Sequence, residues 1–408
     1  MTDSTFLTRV VLKNYKSIAA CDVKLRPLTF LVGPNGAGKS NFLDALRFVA
    51  DALRTSLDHA LRDRGGIKEV RRRSSGHPTH FGMRLEFVLT SGLTGHYAFR
   101  IGALTRGGYE VQSEECALHE RSTDRDIVFP KPYFRVHDGI VEASAPVAPA
   151  RAPDRLYLVN ASGLAEFRPV YEAFSRMGFY SLNPERIRDL QPPDAGELLA
   201  RDGSNIASVL GQMGSHDSAA TRRIEEYLSK VVPGVQGVDV KEIGPKETLE
   251  FRQNVAGSRD AWRFIAANMS DGTLRALGIL VALFQSANGA GPRVVLVGIE
   301  EPEVALHPAA AGVLRDSLRD ASQVRQIVVT SHSPDLLDDD LDTDSLLAVV
   351  AEGGITKIAS LDEAGRNALR QRRYTAGELL RLDQLAPDPV AIQRSASNQL
   401  RLFDQEEA

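Results

Sequence analysis

Gly33-Pro34-Asn35-Gly36-Ala37-Gly38-Lys39-Ser40 is the stretch on which the reading of this chain turns. The apolar run from Leu28 to Val32 precedes it and predicts a buried strand. Residues 41–53 follow, with Phe42, Leu43, Leu46, Val49 and Leu53 at helical spacing. Strand, glycine-rich turn and helix are the setting in which this motif is a phosphate-binding loop and not merely a glycine-rich surface loop. The glycines let the backbone curl so that its N–H groups face inward, and the new helix points its positive end at the same place. Lys39 then reads as the group that reaches the β- and γ-phosphates, and the Ser40 hydroxyl as a ligand for Mg²⁺.

The composition around this loop is that of a soluble globular protein. The 408 residues are 43% apolar and 25% charged, with room for two or three lobes. A net charge of −4 excludes a chain that is polybasic throughout, so any nucleic-acid surface is local. Cys21 and Cys116 are too few for a disulfide framework and lack metal-ligand spacing. Met1-Thr2-Asp3-Ser4 has no basic or apolar leader pattern, and the longest apolar runs, near 277–284 and 294–299, are too short to span a bilayer. The expectation is a cytoplasmic protein with no membrane partner.

Along the chain, residues 6–12 and 21–32 read as strands, joined by a polar turn, Lys13-Asn14-Tyr15-Lys16-Ser17. The stretch containing Arg62-Asp63-Arg64-Gly65-Gly66 and Arg71-Arg72-Arg73-Ser74-Ser75-Gly76 reads as a basic solvated loop, with a nucleic-acid contact as the alternative. Alternation over Met83, Leu85, Phe87 and Leu89, then Tyr97, Phe99 and Ile101, predicts antiparallel hairpins. Residues 127–160 read as further short strands with a Pro/Ala-rich linker at 143–153, and 163–232 as helical, ending in an amphipathic helix over 219–232. Strands near 235–241 and 247–253 follow, then a helix at 273–287, a β-branched strand at 294–299, a helix at 309–321 and a strand at 326–330. That alternation predicts a doubly wound sheet. Residues 346–351 and 355–360 read as a hairpin, and the polar tail from Pro387 as loose. These changes of pattern divide the chain into parts at 1–76, 77–160, 161–235, 236–385 and 386–408.

Three later segments specify the chemistry. Val294-Val295-Leu296-Val297-Gly298-Ile299-Glu300-Glu301-Pro302 is an apolar strand that ends in two carboxylates. Glu300 is placed to hold Mg²⁺ through water, and Glu301 to orient or deprotonate the attacking water. Alone, such a pair is often just a solvated strand end; after a phosphate loop it completes a hydrolytic site. Gln326-Ile327-Val328-Val329-Thr330-Ser331-His332-Ser333-Pro334 is a further strand, with His332 set for the γ-phosphate region. Asn268-Met269-Ser270-Asp271-Gly272-Thr273 begins a helix whose N-terminus, with Ser270 and Gly272, reads as a second anion site or as an ordinary Ser/Asp cap.

In this order the segments resemble an ATPase of the ABC class, in its RecF/SMC-like branch of DNA-maintenance ATPases. They are most similar to stand-alone bacterial RecF-like ATPases with an AAA-type core. Asn41 directly after Lys39-Ser40, and the opening Leu12-Lys13-Asn14-Tyr15-Lys16-Ser17-Ile18, are like that branch and unlike transporter subunits. The resemblance covers residues 6–55 and 265–335 closely and the region between in outline. It implies an α/β P-loop NTPase fold of the ABC-ATPase head type, a mixed sheet with an antiparallel β subdomain and a helical subdomain. It makes Met269-Ser270-Asp271-Gly272 the signature loop, Glu300-Glu301 the Walker B pair, His332 the switch histidine and Ala305-Leu306-His307-Pro308 the D-loop. ATP is implied at residues 33–40 with Asn41, Mg²⁺ at Ser40 and Glu300, and Lys16 resembles a basic residue that approaches the nucleotide. The sequence departs from the wider class in having Glu300 and His307 where Asp is usual, and Ser-Asp-Gly in the signature. Gln191 and Gln212 are the candidates for the Q-loop glutamine.

The resemblance further implies that two copies pair head-to-tail, each closing the other's ATP with Ser270 and the dipole of its signature helix. The expected role is in DNA repair, recombination or genome defence, with DNA as partner. A transporter subunit would carry its signature much sooner than the 230 residues that separate Ser40 from Ser270. A nuclease fused on the pattern of the overcoming-lysogenization-defect family would need a Glu before its Asp pair. Here Asp338-Asp339-Asp340-Leu341-Asp342-Thr343-Asp344 precedes Glu352, which reads as an acidic turn and leaves an effector nuclease to act in trans. Gln399-Leu400-Arg401-Leu402-Phe403 resembles the peptide by which bacterial replication and repair proteins bind the sliding clamp. The alternative is a segment that packs Leu400 and Phe403 on the body of the protein.

Overall fold

β1 (Leu7–Tyr15) and β2 (Ile18–Lys24) form a hairpin that turns at Lys16 and Ser17, with Lys16 at a φ of 47°. In this computed structural model the described residues are 6–74, 78–89, 91–119, 132–145, 148–152, 154–285, 294–339, 341–397 and 400–404. The turn is tighter than the polar run Lys13 to Ser17 suggested, because Tyr15 is a strand residue with no exposed surface. Its ring packs edge-on to Phe48 and Phe81, and its hydroxyl donates to Asp44 at 2.8 Å. Pro27, without an N–H to give to a ladder, separates β2 from β3 (Leu28–Val32), so the apolar run 21–32 is two strands.

The alternating segments form β4 (His80–Val88), β5 (Thr94–Ala103), β6 (Tyr109–His119), β7 (Tyr133–His137) and β8 (Ile140–Ala143). Within 127–160, Tyr157–Ala161 is helical, contrary to the strand reading there. β9 (Gly178–Tyr180) lies inside the region read as helical; three residues are too few to leave a periodicity in the sequence. β10 (Val235–Ile243), β11 (Lys246–Gln253) and β12 (Trp262–Ile265) make a separate antiparallel sheet. β13 (Leu296–Glu300), β14 (Gln326–Ser331), β15 (Leu346–Glu352) and β16 (Ile355–Ser360) complete the main one.

Among the described residues the main sheet has thirteen strands, in the order β8-β7-β6-β5-β4-β1-β2-β16-β15-β3-β14-β13-β9. The run from β8 to β2 is antiparallel, and β15, β3, β14, β13 and β9 are parallel. This is the mixed α/β sheet that the resemblance implies, and its parallel part is where the strand–helix alternation falls. Side chains alternate between two cores, as the two-residue period of a strand requires. Leu31 and Val328 join Phe42, Leu46 and Phe48 of the helix Lys39–Arg54 on one face. Phe30, Val32, Val297, Ile299 and Val329 join Leu274, Leu277 and Val281 of the helix Asp271–Phe284 on the other. The two helices that carry phosphate-site motifs thus cover opposite faces of one parallel sheet.

The tail is not loose. Pro389–Ala396 is a helix capped by Asp388, and beyond it Leu400, Leu402 and Phe403 are buried against Val11 and Ala98 of β1 and β5. Arg84 donates to the Leu402 carbonyl at 3.1 Å and pairs with Asp404 at 2.9 Å. The Arg100 guanidinium lies 5.3 Å from the centre of the Phe403 ring. Charged residues on the sheet hold the backbone and the acidic end while the apolar side chains fill the surface between them. The apolar anchors of the clamp-peptide reading are therefore occupied by the chain's own sheet, and Gln399 lies outside the described residues. Leu402→Ala should lower unfolding stability by about 2–5 kcal/mol in urea titration. A free tail would leave the midpoint unchanged.

Among the described residues no helix is long and apolar enough to cross a membrane.

Candidate functional site

The glycine-rich loop leaves the end of β3 with β15 on one side and β14 on the other. Gly36 and Gly38 adopt φ values of 78° and 100°, which side chains with a Cβ rarely take. A Cβ on Gly33 would run into the Val349 carbonyl of β15, and one on Gly38 into the Thr356 side chain of β16. The C-terminal hairpin thus braces the loop. Thr356 donates to the Ala37 carbonyl at 2.9 Å and meets Ser17 at 2.7 Å, while Asn41 donates to Ser17 at 2.6 Å. Pro34, Asn35, Gly36 and Ser40 stay exposed, whereas Lys39 is buried.

Lys39 Nζ donates to the carbonyls of Gly33 at 2.8 Å and Pro34 at 3.0 Å. Burial pulls its ammonium below the ordinary lysine range, although Glu301 and Glu303 oppose the shift. A desolvated cation gains strongly from an arriving anion, so the loop's chemistry fits a polyphosphate. Ser40 at the helix start and the carboxylates at the end of β13 fit a magnesium ion bound to that polyphosphate.

Glu300 ends β13, and its carboxylate pairs with Arg201 at 3.1 Å. Glu301 takes a left-handed φ of 44°, a conformation that costs a non-glycine residue roughly 1–2 kcal/mol. Its N–H donates to the Thr330 carbonyl of β14 at 3.0 Å, which holds the strained residue in place. From there Glu301 Oε1 lies 3.9 Å from Lys39 Nζ and 3.3 Å from His332 Nδ1. Three residues from distant parts of the sequence meet at the ends of adjacent strands. That meeting is the core of the site.

Ser270 caps the helix Asp271–Phe284 by accepting from the Thr273 N–H, and Asp271 pairs with Arg188 at 2.5 Å. A Cβ on Gly272 would lie 2.7 Å from the Ala305 carbonyl, so only glycine lets this helix start meet the 305–308 turn at its present distance. One turn further on, Arg275 donates to the carbonyls of Leu182 and Glu301, each at 3.1 Å. The helix is thereby tied to the backbone of the strained glutamate. His307 accepts from the Ala309 N–H at 3.1 Å and caps the short turn Pro308–Ala310.

Several residues singled out from the sequence are placed elsewhere. Lys16, on the turn between β1 and β2, pairs with Asp44 at 2.5 Å. Gln191 is buried, exchanges backbone hydrogen bonds with Glu247 and accepts from the Ala207 N–H at 3.0 Å. Gln212 sits on the helix Ile206–His216 beside Gly196. Neither glutamine is brought to the loop. The basic stretch is not one solvated loop, since the Arg64 side chain is 2% exposed and bonds Asp44 at 2.9 Å and Asp51 at 3.0 Å. Arg71, Arg72 and Arg73 line an open pocket of about 300 Å³ with Lys16, Ser17 and Asn41. Asp338 and Asp339 of the acidic turn are paired with Arg381 and Arg315. Residues that the sequence reading missed are Glu303, Arg201, Arg275 and Thr356. Glu303 is the one with a local signal, two positions beyond the carboxylate pair.

The arrangement has solved counterparts. The SMC head bound to the C-winged helix domain of ScpA aligns with a TM-score of 0.55 and 15% identity, over 88% of this chain and 99% of that one. The Smc head with an extended coiled coil, bound to the C-terminal domain of ScpA derived from Pyrococcus furiosus, aligns at 0.53 and 14%, over 90% and 99%. At these identities the likeness is one of fold. The Old nuclease of Escherichia phage P2 is 20% identical over 355 residues, which cover 81% of this chain and 57% of the nuclease. The OLD nuclease of Thermus scotoductus is 24% identical over 342 residues, or 80% of this chain and 59% of the nuclease. The DNA replication and repair protein RecF of Vibrio vulnificus is 44% identical over 41 residues, 10% of this chain and 11% of RecF. The chain spans less than two thirds of the two nucleases that it matches. Residues 28–338 match the family described as "AAA domain, putative AbiEii toxin, Type IV TA system". The chain belongs to that family, and its fold is the α/β P-loop ATPase fold of the SMC heads.

Proposed function

We propose that this chain binds and hydrolyses Mg·ATP and pairs head-to-tail with a second copy on ATP, in DNA repair, recombination or genome defence. The observation that carries the reading is the meeting of Lys39 and His332 on Glu301, 3.9 Å and 3.3 Å from its Oε1, at the end of the parallel sheet. Lys39 neutralises phosphate charge, and residues 33–40 supply inward backbone N–H groups. Ser40 and Glu300 would hold Mg²⁺, which on binding polarises the terminal phosphate and screens its charge. Glu301 orients or deprotonates the attacking water, and His332 contacts the terminal phosphate. Arg201 has to leave Glu300 for that carboxylate to face a metal. Ser270 and Gly272, at a capped helix start, are assigned to the nucleotide of the other copy. The likeness to the phage P2 and Thermus nucleases favours DNA as partner, with a nuclease acting in trans as the second reading.

The test of the pairing is complementation. Lys39→Ala and Ser270→Arg chains should each be inactive as homodimers. Mixed, they form one composite site from intact halves, so phosphate release should return. A mixture as inactive as its components would rule out sites shared between copies.

A further inference from the structure

We propose that Glu303 is a positioning residue of the hydrolytic site: the carboxylate that takes the Nδ1–H of His332, leaving Glu301 to orient water. The inference rests on the ATPase reading of this site and assigns it a residue that the motifs did not.

The turn after β13 folds back on itself through the positive φ values of Glu301 (44°) and Ala305 (65°). It returns the Glu303 side chain, 10% exposed, to the end of β14. There Oε1 accepts from the Ser331 hydroxyl at 2.8 Å and from the His332 N–H at 3.1 Å. These two bonds fix the backbone that carries the histidine. Glu303 Oε2 is buried with no hydrogen-bond partner among the described residues, and so is His332 Nδ1. An unsatisfied buried acceptor is costly, more so for a charged one. The two atoms belong to side chains that already meet, with Nδ1 3.8 Å from Glu303 Oε1.

The distances show what closing would change. His332 Nδ1 lies 3.3 Å from Glu301 Oε1 and 3.8 Å from Glu303 Oε1. The imidazole therefore stands between two carboxylates of different duties. While Nδ1 faces Glu301, the group meant for the water is engaged by the histidine. A rotation towards Glu303 would give Nδ1–H the hydrogen-bond partner it lacks and take the imidazole off Glu301. Lys39 Nζ lies 3.9 Å from the same Glu301 oxygen that His332 faces. Glu303 touches neither substrate nor water in this scheme; it acts through His332.

Glu303→Gln separates the two duties. The glutamine carbonyl still accepts from Ser331 and the His332 N–H, but its amide nitrogen cannot accept from Nδ1. In the full chain, this variant should keep the wild-type melting temperature and KM for ATP and lose kcat by about tenfold to a hundredfold. Glu303→Ala should lose the loop anchor as well, and so fall in melting temperature. The second readout is ¹⁵N NMR of the His332 imidazole with a non-hydrolysable ATP analogue bound, its signal identified by its loss in His332→Gln. Wild type should show a protonated Nδ1, and Glu303→Gln should not. Unchanged kcat in Glu303→Gln, or an Nδ1 signal that the substitution does not alter, would overturn the proposal. A wild type that binds the analogue but hydrolyses no ATP ends the ATPase reading, while the imidazole readout still decides the role of Glu303.

Discussion

Glu301→Gln is expected to slow ATP turnover by about 10²–10⁴-fold, the usual worth of a positioned general base, and to accumulate as an ATP-bound dimer. The substitution isolates chemistry from structure unusually well at this position. Glutamine bears the left-handed backbone at φ 44° no better and no worse than glutamate, so the strain is unchanged. The N–H bond to Thr330 and the carbonyl taken by Arg275 are backbone contacts and survive. What disappears is one negative charge beside Lys39 and His332. A bound phosphate anion then meets less repulsion, which should tighten ATP binding while hydrolysis stalls. Phosphate release together with light scattering checks both halves of the result. A variant that stays monomeric at saturating ATP would refute the dimer, and one that turns over at the wild-type rate would refute the role of Glu301.

Arg64→Ala should cost about 3–5 kcal/mol in unfolding stability at neutral pH, because it takes from two carboxylates the buried guanidinium that they share and leaves its space unfilled. Arg64 bridges Asp44 at 2.9 Å and Asp51 at 3.0 Å and lies 5.4 Å from the centre of the Phe48 ring. Burial pushes the Asp44 carboxyl up, but Arg64, Lys16 and Arg47 together hold it down to about 2. A carboxyl lowered by folding stabilises the native state above its unfolded value, near 4, and that contribution is lost as pH falls through about 2. Without Arg64 the carboxyl has less reason to stay ionised, so the deficit of the variant should be largest near neutrality and shrink on acidification. Urea titrations at neutral and acidic pH measure this directly. If Arg64 were an exposed nucleic-acid contact, the midpoint would move by no more than about 0.5 kcal/mol and DNA affinity would fall instead.

What was legible in the sequence is what the chain writes contiguously. The strand, loop and helix around Lys39 are one uninterrupted pattern, and so are β13 with its carboxylates and β14 with its histidine. Their meeting followed from parallel pairing of neighbouring strands, whose ends necessarily lie together. The errors came where a residue's partner lies far off in sequence. Arg64 sits among arginines and glycines that look solvated, and its burial is decided by Asp44 on another element. Leu402 and Phe403 sit in a polar tail, and their groove is built by β1 and β5. Lys16 looked free to reach a nucleotide because nothing nearby announces the same aspartate. β9 is a fourth case: it is a strand because β13 offers it an edge, and its own three residues carry no period.

The position of β3 in the sheet has a bearing on how the protein is made. Both of its neighbours, β14 and β15, begin only at Gln326 and Leu346, so the strand under the phosphate loop has no partner until most of the chain has left the ribosome. The brace at Thr356 comes later still. A nascent chain therefore carries its nucleotide loop for some 300 residues before the sheet that shapes it can exist. Pairings of such long sequence separation are slow to form, and unpaired strand edges wait exposed meanwhile. The loop lies early in the sequence and is among the last parts to acquire its native shape.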